Sequence, residues 1–320
     1  MDGTIVNDTT YQEPVSALLT YGSCLEIDKK VKNLENERII EQIIESGDIS
    51  KIDRSLMAQL KPSYRFEKWP NYLEELGITA EHVPELIRMT TDEDLNYADG
   101  ESLEVWAPVH AWRCLGLLKA PEAVGPLLRM LDDDEFADWM MEEIPWVLGM
   151  IGEDAIAPTS LYLASRKYAD WSRTAAVSAL EYIATLHPAL KETCIKKLGS
   201  QLADFRNNGE SLNGFIVSSL IELEAVSKAN VIERAYAAGE VDESICGNWP
   251  NVQIDLGLAT KADFDPSELE PNFAWVRDDR RPDFSNLPSF EPPMKAVKKK
   301  TSEAVGFGGS KKKKSKKKKK

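Results

Sequence analysis

Three tryptophans stand at near-equal intervals, Trp106, Trp139 and Trp171, spaced 33 and 32 residues apart. Nine residues after each comes a leucine (Leu115, Leu148, Leu180), and three further on another aliphatic residue (Leu118, Ile151, Ile183). The segments read WAPVHAWRCLGLL, WMMEEIPWVLGMI and WSRTAAVSALEYI. A fourth, SLNGFIVSSLIEL, keeps Leu220 and Leu223 but has Ser211 in place of the tryptophan, after a longer interval of 40. Self-similarity at this period is the mark of a repeat architecture, with one supersecondary unit per repeat and atypical units at the ends. Each segment suffices for about three helical turns, and the paired aliphatic positions, three apart, share a helix face.

A short break and a second apolar run follow each segment. LKAPEAVGPLLRML breaks at KAPE, and MIGEDAIAPTSLYL breaks at GED. Gly152 is expected to end one helix and Asp154 to cap the next. Ala123-Val124-x-Pro126 recurs as Ala155-Ile156-x-Pro158, and proline suits a first helical turn, where its missing N–H has no intrahelical partner. The repeating unit is therefore helix, tight turn, helix. One such hairpin cannot bury its apolar face alone, so neighbours must stack. The fold class expected is all-α, an α/α superhelical stack of short hairpins.

LGLLKAPEAVGPLLRMLDDDE resembles a short HEAT-type repeat, the variety also found in phycobilisome lyases. Over most of residues 11–260, the segments YQEPVSALLTYGSC, ITAEHVPELIRMTTDEDLN, SLEVWAPVHAWRCLGLL, LNGFIVSSLIELEAV and GNWPNVQIDLGL resemble an uncharacterised bacterial HEAT-like family whose members often end in a zinc-binding SEC-C tail. The resemblance implies an all-helical fold and brings no established activity. Residues 28–67 look like an insertion relative to that pattern. Within them Ile39, Ile40, Ile43 and Ile44 form an apolar stripe between Glu37, Glu41 and Glu45, as in a helix packed against the main stack.

Charge divides the chain. Its net charge is −14, but residues 295–320 hold thirteen lysines and one glutamate, while the 294 residues before them carry 26 basic and 52 acidic side chains, a net of −26. The expected organisation is a disordered N-terminus (1–10), a helical-repeat domain (11–262), an extended strap rich in proline and aromatic residues (263–294), and a disordered poly-lysine tail (295–320). No apolar run approaches the ~18 residues of a membrane helix, and MDGTIVNDTT lacks the pattern of a secretory signal. The four cysteines, Cys24, Cys114, Cys194 and Cys246, are scattered without a CxxC pair, which suits free thiols in a reducing cytosol.

Several fragments suggest chemistry and lack what it needs. MDGT has the form of a haloacid-dehalogenase phosphatase loop, but the nucleophile would stand two residues before Asp2, a position this sequence does not contain. Asp92, Asp94 and Asn96 mimic the start of a calcium loop, yet Tyr97 and Leu103 occupy the positions of the required glycine and bidentate glutamate. TTDED is read instead as a helix cap. His110 and Cys114 lie i, i+4, but two ligands do not make a zinc site, and both are expected to pack between hairpins. The acidic run Asp132–Glu135 is read as a solvated loop. Glu142 and Glu143 are adjacent helical positions about 100° apart and cannot flank one substrate. No catalytic, cofactor or metal constellation is expected.

The function expected is that of a cytoplasmic, non-enzymatic protein-interaction scaffold. Its partner would be another protein or a peptide, held in a groove lined by the second helix of each hairpin, with Arg129, Tyr162, Arg166 and Lys196 as candidate contact residues. The alternative implied by the HEAT subtype is a bilin lyase-type enzyme or chaperone. For the tail, three roles stay open: a degenerate SEC-C remnant without ligands, an intramolecular partner for the acidic body, or a polyanion arm. The arm would use Lys311, Lys312, Lys313, Lys314, Lys316, Lys317, Lys318, Lys319 and Lys320 against RNA, ribosomes or other nucleic acid.

Overall fold

The structure is a computed structural model that describes residues 11–24, 69–132 and 137–270, with side chains from 140 onward in the last stretch. The expected insertion, the tail and most of the strap lie outside the described residues, as do residues 1–10 and all but Asp132 of the acidic run. The described residues are mostly helical, with no strand among them. They form two compact units, one ending at Ile151 and the other beginning at Gly152.

In the first unit the helices are α1 (Tyr72–Leu76), α2 (Val83–Thr90), α3 (Glu93–Asn96), α4 (Ala107–Leu117), α5 (Val124–Met130) and α6 (Ala137–Ile151). Helix α4 packs against both α2 and α6, and the 3-10 turn Val15–Thr20 also rests on it. That central position explains its burial, since every residue from Ala107 to Gly116 is inside. A Cβ at Gly116 would stand 3.1 Å from the Met150 sulfur and 3.4 Å from Val147, so glycine here sets how closely α4 and α6 approach.

In the second unit the helices are α7 (Glu153–Ala164), α8 (Asp170–Leu186), α9 (Lys191–Leu202), α10 (Glu210–Glu222), α11 (Ala229–Ala237), α12 (Glu243–Cys246) and α13 (Trp249–Asp255). They form two layers. Helices α8, α10 and α12 pack in succession, and α7, α9, α11 and α13 succeed one another beside them. Alternate helices thus become neighbours, the arrangement a hairpin repeat requires.

The repeat positions fall at equivalent places in sequence. Trp106 immediately precedes α4, Trp139 is the third residue of α6, and Trp171 and Ser211 are the second residues of α8 and α10. The matching leucines Leu115, Leu148, Leu180 and Leu220 are all buried. Trp106 is buried and Trp171 half-buried. Where serine replaces tryptophan, its hydroxyl donates to the Asp242 carboxylate (3.0 Å), the cap of α12.

Two local expectations change. Gly152, at φ +86°, is the N-cap of α7, and Asp154 lies within its first turn with no side-chain cap. The glycine both ends one helix and opens the next, so there is no room for a separate capping residue. Pro158 is the sixth residue of α7, so it interrupts the ladder in the helix interior, whereas Pro126 sits in the first turn of α5 as expected. TTDED does cap a helix: Asp92 Oδ1 accepts from the backbone N–H groups of Asp94 (3.0 Å) and Leu95 (3.2 Å). Its other oxygen accepts from the Tyr11 hydroxyl at 2.6 Å, so both oxygens of the first residue in the calcium-loop mimic are engaged within the chain.

Beyond α13, Asn248 donates to the carbonyls of Glu268 (2.7 Å) and Glu270 (3.2 Å), and Asn251 donates to that of Leu269 (3.0 Å). The described start of the strap is therefore held by asparagine–backbone hydrogen bonds.

Candidate functional site

Two buried polar clusters and one open groove contain the chemistry-bearing side chains among the described residues. The first cluster surrounds α4. His110 is fully buried. Its Nε2 lies 2.9 Å from the Gly22 carbonyl, and its Nδ1 lies 2.8 Å from the Tyr72 hydroxyl. A carbonyl only accepts, so Nε2 carries the proton. Burial lowers the imidazole pKa to about 4, so the ring is neutral and Nδ1 accepts from Tyr72. Burial also raises the Tyr72 pKa far above the phenol range, keeping it a donor. Cys24 Sγ sits 3.7 Å from Nδ1 and 3.8 Å from Nε2, which superficially resembles a nucleophile–base couple. Both imidazole nitrogens are already committed, however, and the thiol is fully buried. The cluster instead fastens the segment ending at Cys24 to α4.

Three residues further along α4, Arg113 meets Glu143 of α6 with both side chains fully buried. Arg113 Nε donates to Oε2 at 2.9 Å, its NH2 to Oε1 at 2.5 Å, and Trp112 Nε1 to Oε2 at 2.9 Å. The guanidinium carbon also lies 5.0 Å from the centre of the Trp69 ring. Burial alone would favour the neutral form, but the hydrogen bonds and charge of Glu143 outweigh it and hold Arg113 protonated, its pKa above the ordinary guanidinium value.

The second cluster joins loop ends of the second unit. Arg173 donates to the Leu163 carbonyl (2.8 Å), to Asp170 (2.6 Å) and to Asn208 Oδ1 (3.2 Å). Asn208 donates to Asn213 Oδ1 (2.8 Å), and Asn213 donates to the carbonyls of Phe205 (2.9 Å) and Glu240 (2.7 Å). These side chains tie together the chain between α7 and α8, between α9 and α10, and between α11 and α12.

The groove runs between α9 and α11. Two adjoining cavities of about 320 and 570 Å³ share Ala203 and Arg234 as lining residues. Their lining includes small residues, the buried Gly199 and the exposed Ser200, Ala203, Ala237 and Ala238. A Cβ at Gly199 would come 2.7 Å from Lys228 Cδ, so the absent side chain lets the lysine stem lie across α9. The lining carries three cations, Lys228, Arg234 and Arg206, and a single carboxylate, Asp204. That carboxylate is engaged by Asn207 Nδ2 (2.6 Å) and by Arg166 NH2 (3.1 Å), which together hold its pKa below the usual aspartate value. Among the described residues, none of the three cations forms a hydrogen bond or ion pair through its side chain.

Comparison with protein-family models, curated proteins and solved structures returned no match.

The four residues proposed from sequence as groove contacts are placed unequally. Lys196 is exposed on α9, one turn before Ser200 and on the same face. Arg166 borders the groove through its bond to Asp204. Tyr162 is buried, its ring 3.9 Å from that of Tyr168 in a stacked pair, so it offers no solvent-facing contact. Arg129 is exposed on α5 of the first unit. The nine tail lysines lie outside the described residues. Sequence reasoning missed Arg206, Lys228 and Arg234. Their spacing has no period, and only the packing of α9 against α11 brings them together. It also passed over Glu143, weighed there only as a partner for Glu142.

Proposed function

We propose that this chain is a cytoplasmic, non-enzymatic interaction scaffold built from HEAT-like hairpins stacked into a superhelix, with a disordered polybasic tail that tethers it to RNA, ribosomes or other polyanions. One observation carries the reading. The two buried clusters bind their side chains to one another and to backbone carbonyls, whereas the α9–α11 face is open and presents Arg206 and Arg234 to solvent. A repeat array of this kind works through such extended surfaces.

The test is affinity capture from a bacterial lysate with three full-length chains: wild type, Lys196→Glu/Arg234→Glu, and a chain with the nine lysines at 311–320 changed to serine. The scaffold reading expects one set of retained proteins to disappear with the groove variant. The tether reading expects a separate, ribonuclease-sensitive set to disappear with the tail variant. Identical retained sets from all three chains would overturn both readings.

A further inference from the structure

We infer that the groove between α9 and α11 binds an extended acidic protein segment of about five residues. The inference rests on the scaffold reading and supplies the chemistry of the partner.

Length comes first. The α11 side of the groove runs from Ser227 to Ala238; at 1.5 Å rise per residue that is about 17 Å. An extended chain covers about 3.3 Å per residue, so about five residues fill it. The small side chains in the lining let a main chain approach closely. Asn230 and Ser227 stand on the wall with polar groups able to meet backbone N–H and C=O.

Charge comes second. Lys228, Arg234 and Arg206 have no intramolecular acidic partner among the described residues, and the one lining carboxylate is paired with Arg166 and accepts a hydrogen bond from Asn207. Glu192 shares the α9 face but lies two turns from Ser200, outside the lining. This is a basic strip on a body of net charge −26, so it selects carboxylates over cations.

Nucleic acid fits less well. Phe205 is the aromatic residue in the lining, and the Arg206 guanidinium carbon already lies 6.0 Å from its ring centre, which leaves no run of open aromatic faces for stacking bases. A polyanion longer than the strip would also meet the acidic surface, whereas a five-residue segment need not leave the groove.

The test measures fluorescence anisotropy of a labelled octapeptide of alternating glutamate and alanine. Its counterparts with glutamine or lysine in place of glutamate, and an eight-nucleotide oligouridylate, serve as comparisons. The protein is the full-length chain with the nine tail lysines changed to serine, so that the tail cannot capture the probe. The acidic peptide is expected to bind, to weaken as salt rises, and to protect amides of α9 and α11 from hydrogen exchange. Arg206→Glu/Arg234→Glu should weaken it at least tenfold, because each exposed pair is modest and reversal doubles its effect. Lys261→Glu, exposed in the same unit and outside the lining, should leave it unchanged. Circular dichroism should show wild-type helicity in the charge-reversed variants, since those side chains are exposed.

Binding indifferent to the Arg206/Arg234 reversal, binding seen only when the tail lysines are present, or tighter binding of the oligouridylate would overturn the inference. Equal affinity for the glutamine peptide, with the same protection of α9 and α11, would overturn the acidic chemistry and leave the scaffold reading standing. The scaffold reading itself fails by the lysate comparison, where groove variant and wild type would retain the same proteins.

Discussion

Removing Glu143 should damage the first unit more than any surface change. Its carboxylate accepts three hydrogen bonds, two from Arg113 and one from Trp112, at 2.5–2.9 Å in a site where both charged side chains are fully buried. Glu143→Ala leaves the buried Arg113 charge without its carboxylate and the Trp112 N–H without its acceptor. Breaking a buried pair by deleting one partner costs about 3–5 kcal/mol. The tryptophan donor's loss, about 1–3 kcal/mol on its own, overlaps with that figure because one carboxylate serves both groups. The expected cost is therefore about 3–5 kcal/mol, a large share of a typical domain's stability. Replacing both charges, as in Arg113→Met/Glu143→Leu, should recover most of the loss, since matched apolar groups remove the stranded charge as well as the pair. The assay is urea unfolding read by amide hydrogen exchange, so that protection in α4 and α6 reports the first unit separately from the second. If Glu143→Ala costs less than about 1 kcal/mol, a value typical of an exposed pair, water reaches Arg113 and the cluster is not a dry one. If the double variant is no more stable than Glu143→Ala, packing rather than charge dominates.

Other outcomes follow from the same geometry. His110 has a folded-state pKa of about 4 against an ordinary value of 6.5. The unfolded chain therefore binds the proton first, and stability is full above pH 6.5 and falls by about 3 kcal/mol as pH drops from 6.5 to 4. In urea titrations His110→Gln should flatten this slope between pH 5 and 6.5, above the carboxylate range, and an unchanged slope would remove the neutral-imidazole assignment. Asn213→Ala should cost about 1–3 kcal/mol by leaving the part-buried carbonyl of Glu240 without its donor. Asn213→Asp should be worse, because it sets a buried carboxylate against two carbonyl oxygens; equal midpoints for the two variants would refute that account. For the tail, affinity for single-stranded RNA should fall with log salt at a slope of about −4 if six lysines engage phosphates, and serine at the nine tail positions should abolish it.

The helical hairpin was legible because it depends on spacing alone. The interval from Trp106 to Trp171 and the leucines nine residues on are periodic in sequence, and all four leucines are buried. The cap at Asp92 was legible because its hydrogen bonds reach only two and three residues ahead. What was not legible depends on contacts distant in sequence. Gly22 and Tyr72 meet His110 from 88 and 38 residues away, and Glu143 meets Arg113 from 30. The groove cations gather because α9 and α11 pack side by side, and nothing in local pattern marks Arg206 or Arg234 as facing it. Tyr162 was chosen for its polar character, yet its stacking on Tyr168 and its burial place it inside.

All four cysteines are buried, Cys24 and Cys114 in the first unit and Cys194 and Cys246 in the second. Burial pushes the Cys194 thiol up to about 11 and that of Cys114 higher still, so neither reacts as the folded chain stands. A thiol-specific dye would therefore modify this protein at the tempo of its own opening, two sulfurs for each unit. Single-cysteine variants would turn that tempo into a clock for each unit.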